Sequence, residues 1–420
     1  MSAAPPKSAV HGAMALVGLA AFGSGLAMVG ALRPWADTEA AALALMAWVA
    51  FCLGGTDLVI NKVYRRPSAG LDSPRPDPSL ARTAVKLLGL VGSLAFVTLG
   101  YWMFPAYSGG LYGSFFLMLE WLVPAWLVAA VPYFYLVDRR MRSPQDGYWQ
   151  MGRALLFRWG GVDGALLGQH LLGWMVKGFF LPLMFVYLCQ SLDRALAHGT
   201  AAPAGLKPFV DGGLAGMYFL DVTLSAVGYL ATLRLLDSHI RSTEPTLLGW
   251  AVALACYQPF WGFVSENYLA YRTSYTWEDW LGGSQMLYAA WGGAILLLTL
   301  VYIWATLAFG TRFSNLTHRG IITNGPYRYS KHPAYLAKNL SWWLIAVPFL
   351  AAGGTVDGVL RCLMLLGVNA LYWLRARTEE RHLSRDPIYV EYARWMEGHG
   401  LLRGVTRLPG LGFLRYRPPA

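Results

Sequence analysis

The sequence predicts an all-α fold, a polytopic transmembrane helix bundle of about ten spans with both termini on the cytoplasmic side. Three observations carry that expectation. Of the 420 residues, 56% are hydrophobic and only 14% charged, where an ordinary soluble domain has roughly a quarter charged. Apolar runs of about 20 residues, the length that crosses the hydrocarbon core of a bilayer, recur along the whole chain. Basic residues collect in alternate loops between those runs.

The runs are 12–32, 39–60, 83–106, 113–137, 166–190, 212–236, 246–263, 285–309, 334–351 and 356–375. The first imitates a secretory signal, but it is too long for the apolar region of one and further spans follow, so it reads as a first transmembrane helix. Residues 67–80, PSAGLDSPRPDPSL, form a Pro-rich connector expected to be irregular. The segment SPQDGYWQMGRALLFRWGG, 143–161, mixes aromatic rings with arginine and reads as a basic membrane-surface loop, with an interfacial helix as the other option. SENYLAYRTSYTWEDWLGG, 265–283, reads as an outer interfacial loop whose rings sit at headgroup depth.

One set of loops holds Lys62, Arg65, Arg66, Arg75 and Arg82; Arg139, Arg140, Arg142, Arg153 and Arg158; Arg241; and Arg312, Arg319, Arg328 and Lys331, with an Arg-rich tail from Arg375. The alternate set is neutral or acid-containing: Asp37 and Glu39; Tyr107 to Leu111; Asp193 and Asp211 with Arg194 and Lys207; Glu266, Glu278 and Asp279 with Arg272; and Asp357. The positive-inside rule puts the basic set in the cytoplasm, in a plasma (inner) membrane. The net charge of +11 is then attraction to anionic headgroups, and no nucleic-acid partner is expected. Cys52, Cys189, Cys256 and Cys362 lie far apart in apolar runs, with no CxxC or Cys/His cluster, so neither disulfides nor a metal are expected. Charge inside the spans (Glu120, Lys177 and Asp221, with Asp57 and Lys86 nearer the ends) is costly and suggests a cavity or an ion pair. Glu120 with Lys177 is a candidate pair.

The chemistry-bearing stretch is NGPYRYSKHPAYLAKNL, 324–340. Pro333 suits a first helical position, because its missing N–H would have no partner there. His332 then falls at the N-cap, and the free N–H groups of the first turn favour a carboxylate or phosphate. Tyr335 lies one turn inside, and Tyr327 and Tyr329 offer flat faces for a base. Beyond the next hairpin comes RARTEERHL, 375–383, where Arg375 and Glu379 share one helix face and Arg377 and Glu380 flank them. Alone, that cluster reads as the solvated end of an amphipathic helix. A short membrane hairpin between the two segments would bring them together.

The order GPYRYSKHPAYL (325–336), hairpin, RARTEERHL (375–383) and YVEY (389–392) resembles the isoprenylcysteine carboxyl methyltransferase and phospholipid methyltransferase superfamily, over roughly 285–400. The resemblance implies a membrane-embedded, S-adenosylmethionine-dependent methyltransferase whose cofactor site is built from loops; no GxGxxG follows a strand here. It implies that Ile321, Ile322, Tyr327, His332, Pro333, Ala334, Tyr335 and Glu379 line the S-adenosyl-L-methionine and that Arg375 faces the methyl acceptor, a membrane lipid or lipid-linked small molecule methylated on oxygen or nitrogen. Lys331 stands where the family usually has arginine, keeping the charge without the planar fork. The chain then divides into an N-terminal transmembrane region, 1–284, a methyltransferase-like domain, 285–400, and a cytoplasmic tail, 401–420. Two alternatives stand beside this reading: an NADPH-dependent membrane reductase of the same superfamily, and a non-enzymatic transporter or scaffold. The Glu379–Glu380 pair favours methyl transfer over the first, and the intact His-Pro-x-Tyr opposes a degenerate site.

Overall fold

Long apolar helices build the protein. The computed structural model describes residues 4–32, 35–72, 79–198, 205–270, 275–407, 412 and 415–416. In chain order the helices are α1 (Met14–Leu32), α2 (Thr38–Gly55, prolonged by a π turn over Thr56–Ile60), α3 (Leu80–Met103), α4 (Gly113–Asp138), α5 (Gly147–Leu155), α6 (Gly164–His198) and α7 (Leu206–Leu230). There follow α8 (Leu247–Leu254), α9 (Phe260–Val264), α10 (Trp277–Leu281), α11 (Gln285–Leu307), α12 (Pro333–Ala346), α13 (Thr355–Leu383) and α14 (Pro387–His399). Among the described residues the only strands are β1 (Ser242–Thr243) and β2 (Thr317–His318), paired antiparallel with Ser242 opposite His318. Eight helices (α1, α2, α3, α4, α6, α7, α11 and α13) are long and apolar enough to cross a membrane. The chain is an all-α, multi-pass bundle.

Two of the ten expected spans take another form. The run 246–263 is split into α8 and α9, because Pro259 lacks the N–H that a continuing helix needs there. The run 334–351 yields only α12, 14 residues or about 21 Å at 1.5 Å per residue. It stops at Val347, which adopts a left-handed conformation (φ 36°), before Pro348. Hydropathy cannot register either interruption. Both legs run antiparallel to α13. Along the first, Thr246 meets Arg381 and Tyr257 meets Arg375, while Leu269 lies near Gly367. Along α12, Tyr335 meets Glu379 and Trp343 meets Asn369. Irregular backbone at membrane depth is tolerated where protein covers it.

The loops that the charge pattern grouped together gather at one end of the bundle. The Ala9 N–H donates to Ile321 O, and the Arg66 guanidinium to Ala9 O. Thr311 reaches Asp57 at 3.2 Å, and buried Asp237 binds Ser68, Arg241 and Arg312. The acidic loops meet at the other end, where Thr38 bonds Asp193, Ser114 bonds Glu39 and Lys207 pairs with Glu278. Arg75 and Arg272 lie outside the described residues, as does 73–78 of the Pro-rich connector; its start is a 3-10 turn, Pro67–Ala69.

The 143–161 segment is more ordered than a surface loop. Asp146 caps α5 by accepting from the Trp149 N–H, and α5 packs on α3 through Gly89 and Gly152, where a Cβ on either would strike the other helix's backbone. Fully buried Lys86 ties this corner to Asp138 (2.9 Å) and Asp146 (3.4 Å). The expected Glu120–Lys177 pair does not form. Glu120 faces outward from α4, and the Lys177 ammonium lies 4.7 Å from the centre of the Trp174 ring, which satisfies it through the ring's quadrupole. Asp221 is held by the hydroxyls of Tyr302 (2.5 Å) and Thr306 (2.7 Å).

Candidate functional site

The segment after α11 is fixed by buried arginine. Arg319 donates to the carbonyls of Gly228 and Ala231 at the end of α7, and to those of Ser238, Thr311 and Phe313. A guanidinium there satisfies helix carbonyls that have no partner of their own and complements the dipole. Burial, helped by nearby Arg312, pushes Arg319 down to about 9, so it stays charged at neutral pH. Arg312 anchors the same loop on Asp237 (2.8 Å), and the β1–β2 pair joins it to the chain before α8. His318 sits 3.1 Å from Asp386, yet burial and the Arg241 charge push its pKa down to about 4.

Pro333 is the first residue of α12 and His332 its N-cap, as the sequence predicts. The imidazole does not cap the helix. It stacks parallel on Tyr335, centroids 5.4 Å apart, and its Nε2 lies 3.2 Å from Glu380 Oε1. Lys331 Nζ lies 2.8 Å from the same oxygen, and Arg377 donates to Glu380 Oε2 at 2.8 Å. Glu380, 5% exposed, is therefore a clamp between the α12 entry and α13.

Glu379 points the other way. Its Oε2 accepts from the Tyr335 hydroxyl at 2.8 Å. One turn earlier, Arg375 is buried and donates to Asn315 Oδ1 at 2.6 Å, with Tyr257 OH at 3.4 Å. Its guanidinium faces the rings of Tyr335, Tyr257 and Tyr372 at 5.0, 5.3 and 5.8 Å. Among the described residues no carboxylate lies within 4 Å of it. Aromatic faces and an amide oxygen stabilise this cation without neutralising it, leaving it receptive to an anion.

Tyr335, Arg375, Thr378, Glu379 and His382 line one narrow cavity of about 40 Å³, closed on the other side by Asn315, Leu316, Glu244 and Gly249. Of the residues singled out from the sequence, Tyr335, Arg375 and Glu379 meet here. His332 backs Tyr335 from behind, and Pro333 and Ala334 form the first turn of α12. Tyr327 stands apart: its ring packs edge-on against Phe309 at 5.3 Å, and its carbonyl accepts from Tyr392 OH at 2.5 Å. Ile321 packs under α14 with Tyr389 and Tyr392, whereas Ile322 enters the main core, so neither borders the cavity. Sequence reasoning missed Glu244, Tyr257, Asn315 and His382. The last two lay inside or beside the motifs, and Glu244 was legible only as an acid in a basic loop.

The sequence model of the isoprenylcysteine carboxyl methyltransferase (ICMT) family matches residues 288–385, from the first turn of α11 through α13 to the turn before α14. No curated protein and no solved structure matches the chain.

Proposed function

We propose that the protein is an integral-membrane methyltransferase that takes S-adenosyl-L-methionine as donor and methylates an oxygen or nitrogen of a membrane lipid or lipid-linked acceptor. The observation that carries this is the convergence of Arg375, Glu379 and Tyr335 on one cavity inside the segment that matches a methyltransferase family. The donor set suits such a cofactor. Carboxylates match its ammonium and ribose hydroxyls, an unneutralised guanidinium matches a carboxylate or polar acceptor head, and tyrosine rings match a cationic, aromatic molecule. When bound, the cofactor supplies an electrophilic methyl group on a sulfonium. The protein's own contribution is alignment and exclusion of water. In this reading Glu379 takes the cofactor's polar end, Arg375 orients the acceptor and His332 braces the Tyr335 wall. A cavity of about 40 Å³ is well below the roughly 300–1,000 Å³ of pockets that enclose a cofactor-sized ligand. In this reading the cavity widens as the cofactor binds.

The charge asymmetry supports placing the basic end, and the cavity mouth with it, in the cytoplasm of a cell whose plasma (inner) membrane holds the chain. A charged cofactor then enters from the cytosol and an apolar acceptor from the bilayer. Residues 285–400 form the catalytic part, with 1–284 contributing walls through Glu244 and, on α8, Gly249 and Ala253. The test is titration of S-adenosylhomocysteine and of NADPH into detergent-purified protein. Binding of the first alone is expected; binding of NADPH alone would replace this reading with a reductase.

A further inference from the structure

Glu244 lies outside the family match and lines the cavity. The residue is 2% exposed. Its Oε1 accepts from the Thr246 N–H at 2.9 Å and from the Thr246 hydroxyl. Its Oε2 has no hydrogen-bond partner. The nearest basic side chains, His382 with Nδ1 at 4.0 Å from Oε2 and Arg381 at 3.9 Å from Oε1, are beyond hydrogen-bond reach. A buried carboxylate oxygen without a donor is unfavourable, and such groups mark places where something else donates.

The side chain is also held rigidly. The Glu244 N–H donates to Leu316 O at 2.8 Å, and its carbonyl accepts from Trp250 Nε1 at 2.7 Å. The preceding residues form β1, paired with β2. Gly249 packs against the carboxylate so closely that a Cβ there would overlap it. Glu379 borders the same cavity from α13, with one oxygen on Tyr335. Among the described residues no group of three acidic, histidine or cysteine side chains is placed to hold a metal ion.

We propose that Glu244 is a ligand-binding residue that, with Glu379, holds the ammonium of the methyl donor's amino-acid moiety, leaving Arg375 free for the acceptor. The inference rests on the methyltransferase reading above. The test is calorimetric titration of S-adenosylhomocysteine, which carries the ammonium, and of 5′-methylthioadenosine, which lacks it, into wild type, Glu244→Gln and Glu244→Asp. Expected is a loss of tenfold or more in S-adenosylhomocysteine affinity for Glu244→Gln, partial retention for Glu244→Asp, and unchanged methylthioadenosine affinity in both. Equal S-adenosylhomocysteine affinity in wild type and Glu244→Gln would overturn the inference alone. So would a parallel loss of both ligands, which would make Glu244 a brace of the wall. Failure of wild type to bind either nucleoside would overturn the methyltransferase reading beneath it.

Discussion

Glu379 and Glu380 are neighbours in sequence and should fail in different ways when neutralised. Glu380 has Lys331, His332 and Arg377 at 2.8, 3.2 and 2.8 Å, with its own side chain 7% exposed. Removing one member of a buried charged cluster costs about 3–5 kcal/mol when the partners stay buried. Here Arg377 is 27% and Lys331 12% exposed, so both recover some water, and glutamine retains one acceptor oxygen. About 2–3 kcal/mol is therefore expected for Glu380→Gln. Glu379→Gln weakens a single bond from Tyr335 and should cost about 1 kcal/mol or less. Thermal unfolding in detergent should rank Glu380→Gln well below Glu379→Gln in stability. S-adenosylhomocysteine titration should show the reverse for affinity, with Glu379→Gln the more damaged at a temperature where both are folded. Wild-type stability in Glu380→Gln, or equal effects on affinity, would refute the division of labour.

Arg375→Lys keeps the charge but loses the planar contact with three tyrosines and the bond to Asn315. Turnover should fall by tenfold or more while S-adenosylhomocysteine affinity changes little, as checked by paired kinetics and calorimetry. Burial pushes His318 down to about 4 and His239, with four arginines near it, down to about 2. Both are neutral in the fold but protonate near 6.5 when unfolded. Their contribution is therefore intact above about pH 6.5 and is lost as the pH falls toward 4, roughly 1–3 kcal/mol for each. Unfolding midpoints measured from pH 7.5 to 5 should drop, and His239→Gln should flatten the profile. Gly89→Ala places a methyl group against the Tyr148 carbonyl and should cost about 1–3 kcal/mol by prising α5 from α3, read as faster proteolysis within 143–161.

Apolar runs separated by basic and acidic loops were enough to read an all-α membrane bundle, because a bilayer demands long uncharged helices and charge has few other places to go. Pro333 at the start of α12 and the shared face of Arg375 and Glu379 were equally legible, since helix starts and four-residue spacing are local physics. The two interrupted legs were not, because hydropathy sums a window and does not register where Pro259 or Pro348 ends a helix. Nor was the difference between Glu379 and Glu380. Adjacent residues on α13 point about 100° apart, and only the packing of α12 decides which meets the Lys331–His332 entry and which meets Tyr335. Glu244 and Asn315 reach the cavity, and Tyr257 reaches Arg375, from segments up to about 130 residues earlier in the chain. A β pairing and a broken helix put them there, and those long-range contacts exist only once the chain has folded.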